Sequence, residues 1–257
     1  MITPLVCVKR VVDSSSEVVL NDDLQGVDGR FAGFTMSAHE ECAVELAVQI
    51  AGSAGGTVTV MTLGDADAVE QLRTALAVGC AAATHVVADS QSFGPADVAR
   101  EIAAVVRDHE AAGTPHQLVL LGNDAADSGD FQVGIRLAYE LGWPVVNGVS
   151  SVSVSDGEVT ASGSGPDGHE TFRLRLPAVV TVLEGGVEPR YPTVPGRMKA
   201  KKVPIEEREP SQEPVGPSRV RLELPPPTPS TVQVLGAGPG AAPAVVDLLE
   251  QLGVLAR

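Results

Sequence analysis

The chain has 257 residues, room for one large domain or two small ones, and 44% of them are hydrophobic, with a mean hydropathy of +0.13. Eighteen lysines and arginines stand against 33 aspartates and glutamates, a formal net charge of −15. This composition excludes global disorder and disfavours nonspecific nucleic-acid binding, and no apolar run approaches the roughly 18 residues that span a bilayer.

The N-terminus shows no basic region followed by an apolar stretch and a small-residue cleavage site, so no signal peptide is expected. Cys7, Cys42 and Cys80 are odd in number, far apart and set in apolar segments. They predict buried thiols in a reducing compartment, here the cytoplasm.

Residues 4–12 read as a buried strand. Ser37 is a candidate N-cap with Glu40 three positions on, opening a helix through Ile50 with Cys42, Leu46 and Ile50 at helical spacing. Residues 57–62 read as a strand, 67–78 as a helix closed by Gly79, 85–88 as a strand and 96–108 as a helix. Residues 117–121 form an almost purely apolar strand, 122–131 a polar loop, 132–141 a helix, and 144–146 the start of another strand. Alternating strands and helices with apolar strands predict an α/β fold, a Rossmann-like three-layer αβα arrangement around a mainly parallel sheet. Ligands in such folds bind beyond the carboxyl ends of the strands, which points to the loops after Val8, Thr62 and Leu121.

After residue 149 the pattern changes. Residues 151–155, 158–162, 171–176 and 179–183 read as short strands, with Asp156-Gly157 as a hairpin turn, together an antiparallel extension of the sheet. Residues 1–208 are expected to form the nucleotide-binding domain. Residues 209–229 are proline-rich and read as an extended arm, and 242–255 as a terminal helix. An arm and helix without their own core either dock on another subunit or fold back on their own domain.

Three of the four lysines, Lys199, Lys201 and Lys202, sit together, flanked by Arg190, Arg197 and Arg208. This basic island is either a solvated turn or a surface for an acidic partner or a phosphate. The stretch Val232 to Gly240 imitates a glycine-rich dinucleotide turn, but only 17 residues follow Gly240, too few for the helix, strand and acidic residue that such a site requires. No phosphate-binding G-x-x-x-x-G-K-[ST], no G-x-S-x-G elbow and no metal-ligand spacing occurs. The isolated histidines read as surface or strand-end residues. His39 stands apart because it lies at a helix start, where anions bind. The loop from Gly122 to Gly134 follows an apolar strand, is rich in small residues and leads straight into a helix. Such a loop either wraps a phosphate with backbone N–H groups or is simply solvated.

Several segments together resemble the beta subunit of an electron-transfer flavoprotein. They are Val8-Lys9-Arg10-Val11-Val12-Asp13, Glu41 to Ala47, Leu72 to Gly79 with His85-Val86, and Leu118 to Gly122 with Asp127 and Gln132-Val133-Gly134. The most specific stretch runs from Glu170 to Thr181 and on through Glu188-Pro189-Arg190-Tyr191 to Met198-Lys199-Ala200-Lys201-Lys202. The similarity covers roughly residues 5–208 in order.

The resemblance implies a chain that pairs with a flavin-binding alpha subunit and does no bond-making chemistry of its own. It implies a structural AMP in this chain, with FAD held mainly by the alpha subunit at the cleft between the two. The heterodimer would take electrons from acyl-CoA or related dehydrogenases, as in fatty acid oxidation, and pass them to a membrane quinone reductase. The nucleotide contacts carry over to Cys7, Ser37, Ala38, His39, Glu40 and Leu63. In the loop they carry over to Gly122, Asn123, Asp124, Ala125, Ala126, Asp127, Ser128, Gly129, Asp130, Phe131, Gln132 and Val133. The dehydrogenase-recognition loop matches residues 188–199, with Tyr191, Val194, Pro195, Met198 and Lys199 as docking residues and Val194 as the apolar anchor. Without the resemblance, Val194 reads first as a buried staple closing the sheet. The chain departs from the family pattern at Ser37-Ala38-His39, where Asn-Pro-aromatic is usual, and at Ser14 and Ser164. Two other readings compete: a flavin-bifurcating subunit with a second FAD that uses NADH, and a stand-alone adenine-nucleotide-binding module.

Overall fold

A computed structural model describes all residues except 14, 16, 31, 218–219, 227–231 and 256–257. Ser14 and part of the proline-rich arm therefore lie outside the described residues. In chain order, β1 (Pro4–Cys7), β2 (Val11–Val12) and β3 (Phe34–Thr35) are followed by α1 (Ala38–Ala54), β4 (Thr59–Gly64), α2 (Val69–Val78), β5 (Ala82–Val87) and α3 (Pro95–Ala111). Then come β6 (Leu118–Gly122), α4 (Val133–Leu141), β7 (Val145–Val149), β8 (Ser151–Ser155), β9 (Glu158–Gly165), β10 (Gly168–Arg175) and β11 (Ala178–Val182). The chain continues with α5 (Val194–Ala200), β12 (Ile205–Arg208) and α6 (Ala242–Gln251).

The main sheet has seven strands in the order β12-β5-β4-β1-β6-β11-β7, every neighbouring pair parallel. Successive side chains of a strand point to opposite faces, and β1 shows the consequence. Val6 packs with α1 and α2, whereas Leu5 and Cys7 pack with α3 and α4. Both faces are thus covered, giving the three-layer αβα fold, and Val6, Val60, Leu118, Leu120 and Val180 are fully buried. The capping box at α1 forms: Glu40 N–H donates to Ser37 Oγ at 3.3 Å, and Ser37 N–H donates to Glu40 Oε2 at 3.1 Å.

Three sequence expectations change. The run 4–12 is not one strand: β1 ends at Cys7, and Val11–Val12 pairs antiparallel with Phe34–Thr35 in a small separate ribbon. The strands β8, β9 and β10 run on from β7 but form their own antiparallel sheet, with Ser150 N–H donating 2.9 Å to Ser162 O at the junction. The last strand of that set, β11, instead inserts parallel between β6 and β7 in the main sheet. Its five residues are all buried, so it belongs where both faces are covered. The edge strand β12 and the short helix α5 went unread in the sequence.

Two compact units divide the chain at 222/223. Within the first, residues 211–216 lie extended against α3, held by two buried carboxylates. Glu101 accepts from Ser211 N and Oγ at 2.8 and 2.9 Å, and Asp97 accepts from Val215 N and Gly216 N at 3.0 and 2.9 Å. The second unit, 223–257, contains a short 3-10 turn at Gly238–Ala241 and then α6. No residue of α6 is buried.

Candidate functional site

At the carboxyl rim of the main sheet, β4 lies on one side of β1 and β6 on the other, so the crossovers diverge and leave a crevice. An open-mouthed cleft of about 840 Å³, solvent mouth included, occupies it, a size suited to a small molecule. Cys7, Met61, Thr62, Leu63 and Leu121 form its floor. Phe93, Pro95, Val98 and Ile102, at the start of α3, make an apolar wall, and the loop after β6 makes the other.

The polar groups divide into satisfied and waiting ones. Thr62 is 1% exposed, yet its hydroxyl has no hydrogen-bond partner among the described residues. Burial, and then nearby Glu40, push the Cys7 thiol up, so it stays protonated and inert. Glu40 accepts from Lys9 N–H at 2.9 Å as well as from Ser37 N–H, but burial outweighs these bonds and pushes its carboxyl up to about 8. It is therefore largely a neutral acid at pH 7. Lys9, which lines the cleft, donates from Nζ to Asp127 Oδ1 at 2.8 Å.

The helix after the loop opens toward the cleft. Gln132 stands at the N-cap of α4 but makes no side-chain cap; its Oε1 accepts instead from Arg136 Nη2 at 2.8 Å. The first N–H groups of α4 have no partner within the helix, and Gln132 and Val133 both line the cleft. This is the arrangement that favours an anion. The loop reaches that point through left-handed backbone at Gly129 (φ 60°) and Phe131 (φ 54°), the latter an uncommon conformation for an aromatic residue. Gly122 is where the loop leaves β6. A β-carbon there would lie 2.9 Å from Glu40 Cγ and 3.2 Å from His39 Cβ, so only glycine lets strand and helix start meet.

Of the residues singled out in the sequence, Cys7, Glu40, Leu63, Gly122, Asn123, Asp124, Ala125, Ser128, Asp130, Phe131, Gln132 and Val133 share this cleft. Ser37, Ala38, His39 and Ala126 do not; with Val11, Thr35 and Met36 they line an adjoining shallow depression that shares Asp124. Between the two, His39 Nδ1 lies 2.7 Å from Asp124 Oδ1, off the hydrogen-bonding direction, so that oxygen also lacks a hydrogen-bond partner among the described residues. Asp127 faces a third depression, and Gly129 lines none of the described ones. Asn123 turns away to accept from Thr181 Oγ1 at 2.7 Å. The α3 wall escaped the sequence reading. The strand-end rule that selected the other loops applies equally to the segment after β5, where Gly94 and Pro95 mark a helix start.

Tyr191, Val194 and Met198 are 88%, 75% and 56% exposed, and Pro195 and Lys199 are exposed beside them. This sets aside the reading of Val194 as a buried staple. His85 is buried within β5, its Nε2 3.1 Å from Gly64 O, and serves the packing of the sheet. His109 and His116 pair at 2.8 Å between their ring nitrogens, at the C-terminal end of α3. Among the described residues, no group of histidine, cysteine and acidic side chains is arranged to hold a metal, and no helix is long and apolar enough to cross a membrane.

Residues 30–213 match the electron transfer flavoprotein domain. The chain is 34% identical over 206 residues to the electron transfer flavoprotein subunit beta of Bacillus subtilis, covering 79% of this chain and 77% of that one. It is 37% identical over 206 residues to the subunit of the same name from Sus scrofa and 36% to that from Homo sapiens, with 79% of both chains covered in each case. A cleft at the strand ends, a loop running into an uncapped helix start, and a match over most of both chains agree: this chain belongs to the electron transfer flavoprotein family, among its beta subunits.

Proposed function

We propose that this chain is the beta half of a heterodimeric electron-transfer flavoprotein, holding AMP in its own cleft and helping to enclose the FAD of an alpha subunit. The observation that carries the reading is the cleft itself: an apolar slot at one end and an uncapped helix start at the other, the two chemistries of an adenine nucleotide. The ring would lie between Leu63 and Leu121 on one side and Phe93 and Pro95 on the other. Thr62 offers an unpartnered hydroxyl, and the first N–H groups of α4 receive the phosphate, with Lys9 as the nearby cation. AMP here is a folding element that stabilises the chain by mass action.

FAD supplies the reversible electron chemistry. The residues of this chain shield one side of it and exclude water; they make and break no bonds. The shallow depression around Val11, Met36, Ala38 and His39 is suited to covering one side of a ligand held elsewhere. The exposed Tyr191, Val194 and Met198, with Pro195 and Lys199, form the docking surface for acyl-CoA or related dehydrogenases. An exposed apolar side chain on a fixed loop is the kind of anchor a partner pocket takes. Electrons then pass to a membrane quinone reductase. The start of the arm, residues 211–216, is held on this chain's own α3; residues 223–257, with the terminal helix, dock on the alpha subunit, and the apolar Val245, Val246 and Leu252 left exposed favour that use. Three free, buried cysteines suit a cytoplasmic protein.

The test is to co-express the chain with the alpha subunit of the same genome, purify the complex, denature it and quantify the released nucleotides. One FAD and one AMP per heterodimer is the expected result. Two FAD and no AMP would replace this reading with flavin bifurcation, and no flavin with no stable partner would leave a nucleotide-binding module.

A further inference from the structure

The segment 187–203 leaves the sheet after β11 and returns at β12, and it carries the exposed Tyr191, Val194 and Met198. It has one short helix and little core of its own, and its exposed side chains give it no reason to hold one shape. What holds it comes from α1 and α2. At its entry, Cys42 Sγ lies 3.4 Å from Val187 O. Next, Arg190 grips Glu45 on α1: Nε and Nη2 each donate at 2.7 Å to the two carboxylate oxygens, and the Arg190 backbone N–H donates at 3.2 Å. Glu45 is 4% exposed and also accepts from Gln49 Nε2 at 2.7 Å, so every donor it needs is in place. The Arg190 guanidinium holds this carboxyl below the usual range, despite its burial.

At the exit the tie is of another kind. Arg73 on α2 donates from Nη1 to the carbonyls of Ala200 and Val203 at 2.5 and 2.6 Å. Ala200 ends α5 and its carbonyl also accepts from Val203 N–H at 3.2 Å, so Arg73 clamps the turn by which the segment leaves the helix. Between the two ties, Gly196 lies so close to α2 that a β-carbon would sit 2.4 Å from Ala77 O. Held positions therefore alternate with presented ones: Arg190 beside Tyr191, Gly196 beside Val194, Ala200 beside Met198.

We propose that Glu45 and Arg73 are positioning residues for partner docking: each ties one end of the segment to the nucleotide-binding domain and so fixes the spacing of the Tyr191, Val194 and Met198 side chains. The proposal rests on the docking role given above and adds what sets its strength. A partner that reads three apolar side chains at once binds only the arrangement in which all three face it. Apparent affinity falls in proportion to the share of molecules in that arrangement. Releasing one end, so that about a tenth of the molecules present the full face, raises the apparent KM about tenfold.

The experiment uses the flavin-loaded heterodimer and its own dehydrogenase, with E45Q, R73Q and V194R as variants. The rate of flavin reduction is measured against heterodimer concentration. Dithionite reduction and flavin content serve as readouts that need no docking. The expected result is a KM raised about tenfold in E45Q and in R73Q, with kcat within twofold of the parent and both controls unchanged. R73K, which keeps a donor at the α5 end, should recover part of the loss. If V194R raises KM while E45Q and R73Q do not, docking stands and the positioning role is overturned. If V194R leaves KM unchanged, the docking reading fails and takes this proposal with it. Should E45Q fail to assemble, R73Q decides alone. A fall in flavin content that accounts for the whole kinetic change would reduce the role to folding and likewise overturn the proposal.

Discussion

Replacing Glu40 by glutamine should change the sign of its effect on stability between pH 5 and pH 8. Glu40 is 5% exposed and burial pushes its carboxyl up to about 8 from an ordinary value of 4.5. The folded chain thus keeps a proton that the unfolded chain releases. A folded value above the unfolded one means that this group's contribution is fully present below pH 4.5 and is lost as pH rises through 8. The loss amounts to about 3 kcal/mol by pH 7 and approaches 5 above pH 8, to order of magnitude. Glutamine does not titrate and escapes that loss. It has only one acceptor oxygen, however, whereas the carboxyl accepts from two backbone donors, Lys9 N–H and Ser37 N–H. One buried donor left unpaired costs about 1–3 kcal/mol. E40Q should therefore be less stable than the parent at pH 5 by about 1 kcal/mol and more stable at pH 8 by about 2 kcal/mol. Thermal melting of the two heterodimers at matched nucleotide concentration reads this directly, at about 2–4 °C per kcal/mol for a chain of this size. Melting temperatures that run parallel from pH 5 to pH 8 would refute the reasoning, because they would mean that the carboxyl titrates as it does in water.

Gly122→Ala should strip the nucleotide. Its β-carbon would press on Glu40 Cγ at 2.9 Å and on Glu40 N at 3.3 Å, forcing α1 and β6 apart at the cleft floor; AMP retained at one per heterodimer would contradict this. His116 is 5% exposed and burial holds its imidazole below the ordinary value of 6.5, so its contribution is fully present above pH 6.5 and is lost as the pH falls through the lowered folded value. H116Q should flatten the fall in melting temperature between pH 7 and pH 5, and an unchanged slope would count against it. Asp97→Ala removes the acceptor for Gly94, Val215 and Gly216 N–H together. It should cost about 3 kcal/mol or more and expose residues 211–217 to protease, which limited digestion followed by mass spectrometry would detect.

The local grammar of the chain was readable without its fold. Ser37 and Glu40 are three positions apart, and their reciprocal capping bonds need no distant partner. Gly79 and Pro95 punctuate helices for reasons confined to their own backbone. The apolar strands and amphipathic helices identify a sheet covered on both faces, and the strand-end rule places a site after β1, β4 and β6. What the tertiary structure decided is everything that depends on which distant segments meet. An apolar run such as 178–182 carries no mark of the direction of its neighbours, and only the open berth between β6 and β7 makes it parallel. The apparent strand 4–12 breaks because Val11–Val12 finds its partner in Phe34–Thr35. Glu45 and Arg190 are 145 positions apart, and neither residue announces the other. The raised pKa of Glu40 likewise follows from burial, which no residue type encodes by itself. Caps, turns and periodicity are set by interactions within a few residues, so the sequence by itself determined them. Strand direction, the walls of the cleft and the ties of the docking segment arise when remote surfaces exclude water together, and only the folded chain decides which surfaces those are.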